Sequence, residues 1–232
     1  MREIVFDTET TGLDPAAGHR IVEIGCVEIL NTIPTGQTFH FYLDPERDMP
    51  EEAFRVHGLS VEFLTGKPKF AEIADKFLAF VGDAMLVAHN AEFDLRFVNA
   101  ELAALGHPPL GPERIVDTLA LARRRHPGAA NNLEALCQRY GVDTSRRTKH
   151  GALLDSELLA EVYAELTGGR QASLLLQTAA VNAQRGTVLR PIRPVPLAPL
   201  VAAAEWAAHA AFVATLGDKA LWRRYLPKSD GT

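Results

Sequence analysis

The chain has 232 residues, of which 47% are hydrophobic and 23% charged, so it can bury one substantial core and still leave residues for a tail. Its net charge of −5 is unevenly spread, because residues 1–168 carry 16 Lys and Arg against 26 Asp and Glu, whereas residues 169–232 carry 8 against 3. An acidic body excludes nucleic-acid binding through bulk positive charge, so any such binding depends on local basic patches or on cations held by carboxylates.

The first residues, the two cysteines and the most apolar tract indicate in which cellular compartment we expect the protein. The chain starts with the charged Arg2 and Glu3 and shows no pattern of a signal peptide, so we expect none. Cys26 and Cys137 match no metal-binding or redox spacing, which indicates packed thiols in a reducing compartment, the cytoplasm. Prolines, a glutamate and a histidine interrupt the most apolar tract, residues 195–216, so we expect no membrane span.

The first predicted strand ends in two acids. Residues 4–6 are apolar and predict a buried strand, whose two-residue period places Asp7 and Glu9 on the same face. Residues 10–12 follow with the composition of a turn. Hard cations prefer carboxylate oxygen, so this strand end is a candidate seat for a divalent cation and a phosphate. Taken alone, the two acids are better explained by a solvated strand end than by a cation site, because short motifs of this kind are common.

The elements that follow predict an α/β fold. Two more strands, at 20–30 and 37–43, form an antiparallel meander with the first, and residues 31–36 form the turn between them. Further along, the pattern predicts helices at 51–57 and 70–81, a strand at 84–88, a helix ending near residue 105, a strand at 115–116 and helices at 118–125, 132–140 and 152–166. This order indicates a mixed sheet flanked by helices.

The composition changes after Gly169. Residues 186–199 hold four prolines, which indicates a stiff linker over residues 170–199. Apolar residues then recur at helical spacing and predict a helical tail over residues 200–232. An apolar face on so short a helix needs a partner surface, or alternatively packs on itself as a small hairpin. The chain therefore divides into a domain at 1–169, a linker and a tail.

Three more polar residues lie near predicted helix starts. Asp94 lies just beyond a strand and in the first turn of a helix, where α/β proteins often place ligand groups. His150 and Asp155 flank the start of the predicted helix at 152–166. Each acid, taken alone, is also explained by stabilisation of the helix dipole.

Together, these five residues resemble the histidine-containing branch of the DEDD superfamily of 3′→5′ exonucleases. The segment FDTETTG corresponds to the first motif of that superfamily, HNAEFD to the second, and the pair His150 and Asp155 to the third. The run KHGALLDSELLAEVYAELTGG is also similar to the proofreading (epsilon) subunits of bacterial DNA polymerase III, and the resemblance covers roughly residues 1–170. It implies a ribonuclease H-like fold and two divalent cations, Mg²⁺ or Mn²⁺.

The resemblance also implies a role for each residue. Asp7 bridges the two cations, Glu9 and Asp155 complete one site, and Asp94 acts mainly through coordinated water. His150 is the general base that accepts a proton at neutral pH, and the product is a nucleoside 5′-monophosphate. Converging acids need such cations, because two carboxylates about 4 Å apart repel by roughly 4 kcal/mol at an effective dielectric of about 20.

The implied substrate is the 3′ end of DNA, single-stranded or frayed. Arg146, Arg147 and Lys149 precede the expected base and either contact the substrate backbone or keep a loop soluble. The residues expected to hold the terminal nucleotide, which also have ordinary turn, packing or capping explanations, are Thr11, Gly12, Leu13, His57, Asn90 and Phe93.

Two protein partners are implied as well. The linker contains a peptide that resembles the short motif by which replication proteins bind the sliding clamp, with Gln171, Ser173, Leu174 and Leu176 as its contacts. The tail resembles the segment through which proofreading subunits bind the polymerase catalytic subunit. Its expected contacts are Trp206, Phe212, Trp222 and Tyr225.

The expected function is therefore that of a metal-dependent 3′→5′ DNA exonuclease that proofreads for a replicative polymerase. An RNA-trimming or oligonucleotide exonuclease shares the same motifs, because the 2′-OH is sensed by local sugar contacts that motifs do not reveal. A non-catalytic module that bridges clamp and polymerase is a third alternative, which the complete set of acids and histidine disfavours.

Overall fold

The computed structural model of the chain describes residues 1–147, 149–168, 201–217 and 221–224. These residues form two units, one within residues 1–168 and the other within residues 201–224. The predicted linker at 170–199, with the clamp-binding residues Gln171, Ser173, Leu174 and Leu176, lies outside the described residues, as does Tyr225.

A mixed sheet of five strands is the framework of the first unit. The strands are β1 (Arg2–Thr10), β2 (Ile21–Leu30), β3 (Ile33–Tyr42), β4 (Met85–Ala88) and β5 (Ile115–Asp117), in the order β3-β2-β1-β4-β5. The first three strands are an antiparallel meander, whereas β4 runs parallel to β1 and β5 runs parallel to β4. β1 is therefore the central strand, and its carboxyl end lies at the same edge of the sheet as that of β4.

Seven α-helices of the first unit surround this sheet. They are α1 (Glu51–His57), α2 (Val61–Leu64), α3 (Phe70–Val81), α4 (Ala91–Ala104), α5 (Thr118–Arg125), α6 (Leu133–Tyr140) and α7 (Ala152–Thr167). Short 3₁₀ turns occur at Pro15–Ala17 and Pro112–Arg114.

The alternation along β1 divides the core into two faces. Ile4 and Phe6 are buried in a cluster with α3 and α4 that includes Phe77. Val5 is buried on the opposite face in a cluster that includes Leu159 of α7. Helices thus cover both faces of the sheet, as the predicted α/β class requires, and the positions of Asp7 and Glu9 lie on the α7 face.

Most predicted elements are found, and the largest error in a strand boundary is at the start of β3. Helices α1, α3 and α5 begin and end where the sequence predicts them. β3, however, begins at Ile33 rather than at residue 37, so residues 31–36 are not one long turn. Asn31 and Thr32 adopt positive φ values of 51° and 67° and close a two-residue hairpin, which lets Leu30 pair directly with Ile33.

The second unit contains helix α8 (Ala203–Thr215) and a 3₁₀ turn at Leu221–Arg224. Val213 is buried, whereas Trp206, Phe212 and Trp222 are exposed large apolar side chains. Within residues 1–147, 149–168, 201–217 and 221–224, every helix is too short or too polar to serve as a membrane span.

Candidate active site

The candidate active site lies at the carboxyl end of β1. Asp7 and Glu9 alternate with the core residue Val5 and therefore share the face of the sheet that α7 covers. In the antiparallel register with β2, Asp7 lies opposite Gly25 and Glu9 lies opposite Glu23. Glu9 is buried and Asp7 is partly exposed. The strand period therefore predicts the common orientation of the two acids correctly.

Helix α7 can approach this face because position 25 of β2 is a glycine. A Cβ atom on Gly25 would lie 2.2 Å from the backbone nitrogen of Leu153, in the first turn of α7. The Ser156 hydroxyl also donates a hydrogen bond to the Gly25 carbonyl oxygen at 2.9 Å. These contacts fix the first turn of α7, and with it Asp155, beside the end of β1.

Asp94 approaches the carboxyl end of β1 from the opposite face of the sheet. It is buried in the first turn of α4, and its Oδ1 accepts hydrogen bonds from the Thr8 hydroxyl at 2.6 Å and the Thr8 backbone N–H at 3.0 Å. Asn90, the N-cap of α4, adopts a left-handed conformation with φ 65° and turns the chain from β4 into the helix. The end of β1 therefore has one acid fixed to it from each side, Asp94 and Asp155.

The loop before α7 brings a histidine and an arginine to Asp155. His150 Nδ1 lies 3.2 Å from Asp155 Oδ2, and the Arg147 guanidinium contacts both carboxylate oxygens at 2.7 and 2.8 Å. Burial raises the pKa of Asp155, but the hydrogen bonds from His150 and Arg147 outweigh it and hold that pKa below its ordinary value. Asp155 is therefore a carboxylate at neutral pH, and two positively polarised groups face it.

The other three acids show the opposite shift. Burial, with the nearby charge of Asp155 adding to it, raises the pKa of Glu9 to about 8. Burial raises the pKa of Asp94 to about 7, although the hydrogen bonds from Thr8 lower it. Burial also raises the pKa of Asp7 well above its usual range, and the charge of Asp94 raises it further. Burial, which disfavours the charged form, is the cause that all three shifts share.

These residues fit a site for divalent cations. Ligand atoms of Glu9, His150 and Asp155 all lie within 4.8 Å of one another. Carboxylate oxygens dominate the set, as Mg²⁺ and Mn²⁺ prefer, and a bound cation would favour the charged forms of the neighbouring acids, whose pKa values are raised. Asp7 and Asp94 belong to the same group of interacting charges, so all five predicted residues are brought together.

A cavity of about 460 Å³ opens beside Glu9. Leu13 is 78% exposed at this cavity, whereas His57 is buried. Burial lowers the pKa of His57, and the Leu59 backbone N–H donates to its Nδ1 at 3.0 Å. Of the residues predicted to hold the terminal nucleotide, those that line the cavity are Thr11, Gly12, Leu13, His57 and Phe93.

The turn after β1 shapes one wall of this cavity. A Cβ atom on Gly12 would lie 2.3 Å from the His19 ring, so a larger residue would displace that ring. The Thr11 hydroxyl oxygen lies 3.1 Å from His19 Nδ1 and accepts a hydrogen bond from the Arg20 backbone N–H at 3.0 Å. Thr11 and Gly12 therefore have clear structural roles in addition to any contact with a ligand.

Asn90 is not among the residues that line this cavity. It lines a neighbouring cleft of about 650 Å³ together with His89 and Arg123. Its backbone N–H donates to Asp117 Oδ1 at 3.1 Å. The structure thus separates Asn90 from the other five residues predicted to contact the terminal nucleotide.

Sequence reasoning missed a further buried acid. Glu23 is buried opposite Glu9, where its Oε1 lies 2.7 Å from His40 Nε2, and its charge contributes to the raised pKa of Glu9. Gly25 and Thr8, which position Asp155 and Asp94, were missed as well. An acid inside an otherwise apolar strand is the signal that could have identified Glu23.

Comparison with known proteins identifies similar sequences over most of the chain. The model of the exonuclease family RNase_T matches residues 4–163. A protein of Rickettsia felis named DNA polymerase III subunit epsilon is 56% identical over 176 residues, which cover 75% of this chain and 77% of that protein. The protein of the same name from Escherichia coli K12 is 44% identical over 236 residues, which cover 96% of this chain and 97% of that protein.

Solved structures of exonucleases have the same fold. A structure of exonuclease X in complex with 5′ overhanging duplex DNA is 25% identical, with a TM-score of 0.58, and the match covers 72% of this chain and 91% of that one. The nuclease domain of 3′hExo, a DEDDh family member bound to rAMP, is 18% identical with a TM-score of 0.63, over 72% of this chain and 92% of that one. These similarities confirm the predicted ribonuclease H-like fold of the first unit.

Proposed function

The chain belongs to the RNase_T exonuclease family, alongside the DNA polymerase III epsilon subunits, and we propose that it removes nucleotides from DNA 3′ ends with the help of two divalent cations. It is a 3′→5′ exonuclease of the proofreading type. The observation that carries the proposed site is the convergence of four acids and His150 at the end of β1, where three of the acids have raised pKa values.

We propose Mg²⁺ or Mn²⁺ as the cations, on the strength of the oxygen-rich ligand set. By the resemblance to DEDD exonucleases, Asp7 would be a ligand of both ions, Glu9 and Asp155 would be ligands of one, and Asp94 would act mainly through coordinated water. When bound, the cations supply Lewis-acid activation of water and stabilise charge on the phosphodiester oxygens. The four acids supply the negative charge that holds such ions, which is why they are close together despite their mutual repulsion.

His150 is the proposed general base. Its side chain is 51% exposed, so substrate and water can reach the ring. When Nδ1–H donates to Asp155 Oδ2, the lone pair of Nε2 is free to accept a proton from the attacking water. Asp155 then fixes the ring orientation and stabilises the imidazolium that forms, while the 3′-terminal nucleoside 5′-monophosphate is released.

The cavity next to Glu9 is the proposed site of the terminal nucleotide. Its size suits one nucleoside, and it combines the apolar side chains of Leu13 and Phe93 with the polar groups of Thr11 and His57. Phe93 offers a ring face for base stacking. Asn90, which lines the neighbouring cleft, remains a predicted contact of the terminal nucleotide.

The chain is proposed to divide into three segments. The family match ends at residue 163 and α7 ends at Thr167, which supports a catalytic domain over residues 1–169. Residues 170–199 remain the predicted linker, and residues 200–232 the predicted tail. Both cysteines are buried and free, which agrees with a reducing compartment, and we propose the cytoplasm.

The proposed partners are a polymerase catalytic subunit and a sliding clamp. The relatives are named as subunits of a DNA polymerase, which implies a polymerase partner. The exposed side chains of Trp206, Phe212 and Trp222 in the second unit support a polymerase-binding role for the tail. The clamp-binding role of residues 171–176 and the contact of Tyr225 rest on sequence resemblance.

A degradation assay with 3′-labelled strands tests the function. Matched and mismatched DNA and an RNA of the same sequence are incubated with Mg²⁺ or with a chelator. We expect release of mononucleotides from DNA, fastest at the mismatch and abolished by the chelator. Preferential degradation of RNA would favour the RNA-trimming alternative, and no release under any condition would favour the non-catalytic module.

A further inference from the structure

Arg147 occupies an unusual position for an arginine in a surface loop. Its side chain is only 12% exposed, whereas that of its neighbour Arg146 is 72% exposed and pairs with Glu157 at 3.0 Å. The Arg147 guanidinium makes two parallel hydrogen bonds to Asp155, from Nε to Oδ1 at 2.7 Å and from Nη2 to Oδ2 at 2.8 Å. Such two-pronged pairs are the strongest ion pairs available to a carboxylate.

The same guanidinium also contacts the proposed base. Arg147 Nη2 lies 2.8 Å from His150 Nδ1, which is closer than the 3.2 Å between Nδ1 and Asp155 Oδ2. Arginine has only donors, so Nδ1 can accept from Arg147 only in the tautomer whose proton resides on Nε2, and in that tautomer Nδ1 cannot donate to Asp155. In that tautomer Nε2 has no free lone pair, and His150 cannot take a proton from water with it.

The positive charge of Arg147 also lies where a cation is needed. Glu9, His150 and Asp155 form the close set of possible metal ligands, and Arg147 already contacts two of the three. The guanidinium therefore partly replaces the charge that a divalent ion would supply.

We propose that Arg147 is a positioning residue, an internal counter-ion that holds Asp155 and His150 in place and is displaced from Asp155 when a divalent cation binds. This inference rests on the proposed metal-dependent function. Once Arg147 leaves, Nδ1–H can donate to Asp155 Oδ2 and Nε2 becomes the acceptor that catalysis requires. Arg147 thus differs from Arg146, which is a surface residue of the same loop.

The proposal is tested by calorimetric titration of Mn²⁺ into the full-length chain. In Arg147→Met the competing guanidinium is lost while the apolar stem remains, so we expect Mn²⁺ to bind about tenfold more tightly than in wild type. Arg146→Met is the matched control, because it removes the same charge from the same loop. Its affinity should change by less than about threefold, as befits an exposed ion pair.

Thermal unfolding provides the second measurement. With a chelator present, Arg147→Met should unfold at a lower temperature than wild type or Arg146→Met, and saturating Mn²⁺ should remove most of that difference. Arg147→Lys keeps the charge without the two-pronged geometry and should lie between wild type and Arg147→Met in both measurements. If Arg147→Met folds only with metal, that result supports the proposal, and Arg147→Lys is then compared with wild type in both measurements.

Weaker or unchanged Mn²⁺ binding in Arg147→Met, relative to Arg146→Met, would overturn the displacement model. So would an equal gain in unfolding temperature on Mn²⁺ addition in wild type and both methionine variants. Failure of wild type to bind Mn²⁺ at all is a different result, because it would contradict the proposed metal site rather than the role of Arg147.

Discussion

Two parts of the site respond differently to the same crowding of acids. At the end of β1 and the start of α4, the pKa values of Asp7, Glu9 and Asp94 are raised, mainly because burial disfavours the charged forms. At the start of α7, the pKa of Asp155 is lowered by hydrogen bonds from His150 and Arg147 that outweigh its burial. In the second region the Arg147 guanidinium contacts the carboxylate directly, whereas in the first region burial is the dominant effect. A divalent cation therefore stabilises the first region most, and competes with Arg147 in the second.

The largest effect is expected from removing a charge in the first region. Asp7→Asn should lower exonuclease activity by about a thousandfold or more, because the residue proposed to bridge the cations loses its charge. In the presence of a chelator, the same variant should unfold at a higher temperature than wild type, because repulsion with Glu9 and Asp94 is relieved. Activity is measured with a 3′-labelled strand and unfolding by circular dichroism. Near-wild-type activity would refute the role of Asp7.

The second region should respond in the opposite direction. Asp155→Asn should lose activity to a similar degree, but with a chelator it should be destabilised by about 2 kcal/mol, because Arg147 and His150 lose a charged partner. Comparing its denaturant unfolding with that of Asp7→Asn shows whether the two regions differ as described. Stabilisation of both variants in chelator would mean that Arg147 does not compensate Asp155.

A smaller effect is expected from changing the distance between the two regions. In Gly25→Ala the new methyl group would lie 2.2 Å from the Leu153 nitrogen, so α7 must move away from β2. A displacement of Asp155 by about 1 Å can lower activity about a hundredfold, and overpacking destabilises by about 1–3 kcal/mol. The measurements are the kcat of the purified variant and its unfolding free energy. An unchanged kcat would show that the first turn of α7 is not fixed by this contact.

The smallest effect is a change in the pH dependence of stability. Raised pKa values in the folded state, about 8 for Glu9 and about 7 for Asp94, mean that the unfolded chain releases protons first as the pH rises. With a chelator, stability should therefore fall by several degrees of unfolding temperature between about pH 5 and pH 8. The contribution of Asp155 has the opposite sign and is lost only as the pH falls below its ordinary range. Saturating Mn²⁺ should weaken the fall, because ion binding favours the charged acids. Equal pH profiles with and without Mn²⁺ would contradict this interpretation.

Local patterns were sufficient to predict much of this arrangement. Each of the five predicted site residues lies at a strand end or beside a helix start, where periodicity and spacing are informative, and the structure brings all five together. The resemblance of three motifs to exonucleases supplied their expected roles. The two-residue hairpin at Asn31 and Thr32 was missed because both residues adopt positive φ, which their side chains do not require.

Contacts between distant positions could not be predicted in the same way. The hydrogen bond between Ser156 and Gly25 joins residues 131 positions apart, and that between Thr8 and Asp94 joins residues 86 positions apart. Arg147 presented a similar difficulty, because its sequence context suited a solvent-facing or phosphate-binding side chain, yet the folded loop directs it to Asp155. The pairing of Glu9 with Glu23 depends on strand register, which one strand does not specify.

Diffraction from crystals soaked in Mn²⁺, recorded at the absorption edge of manganese, tests the central claim most directly. We expect two anomalous peaks at the end of β1, both in contact with Asp7, with Glu9 and Asp155 completing one site and Arg147 turned away from Asp155. No peak near these acids, or a peak elsewhere with the guanidinium still on Asp155, would contradict it.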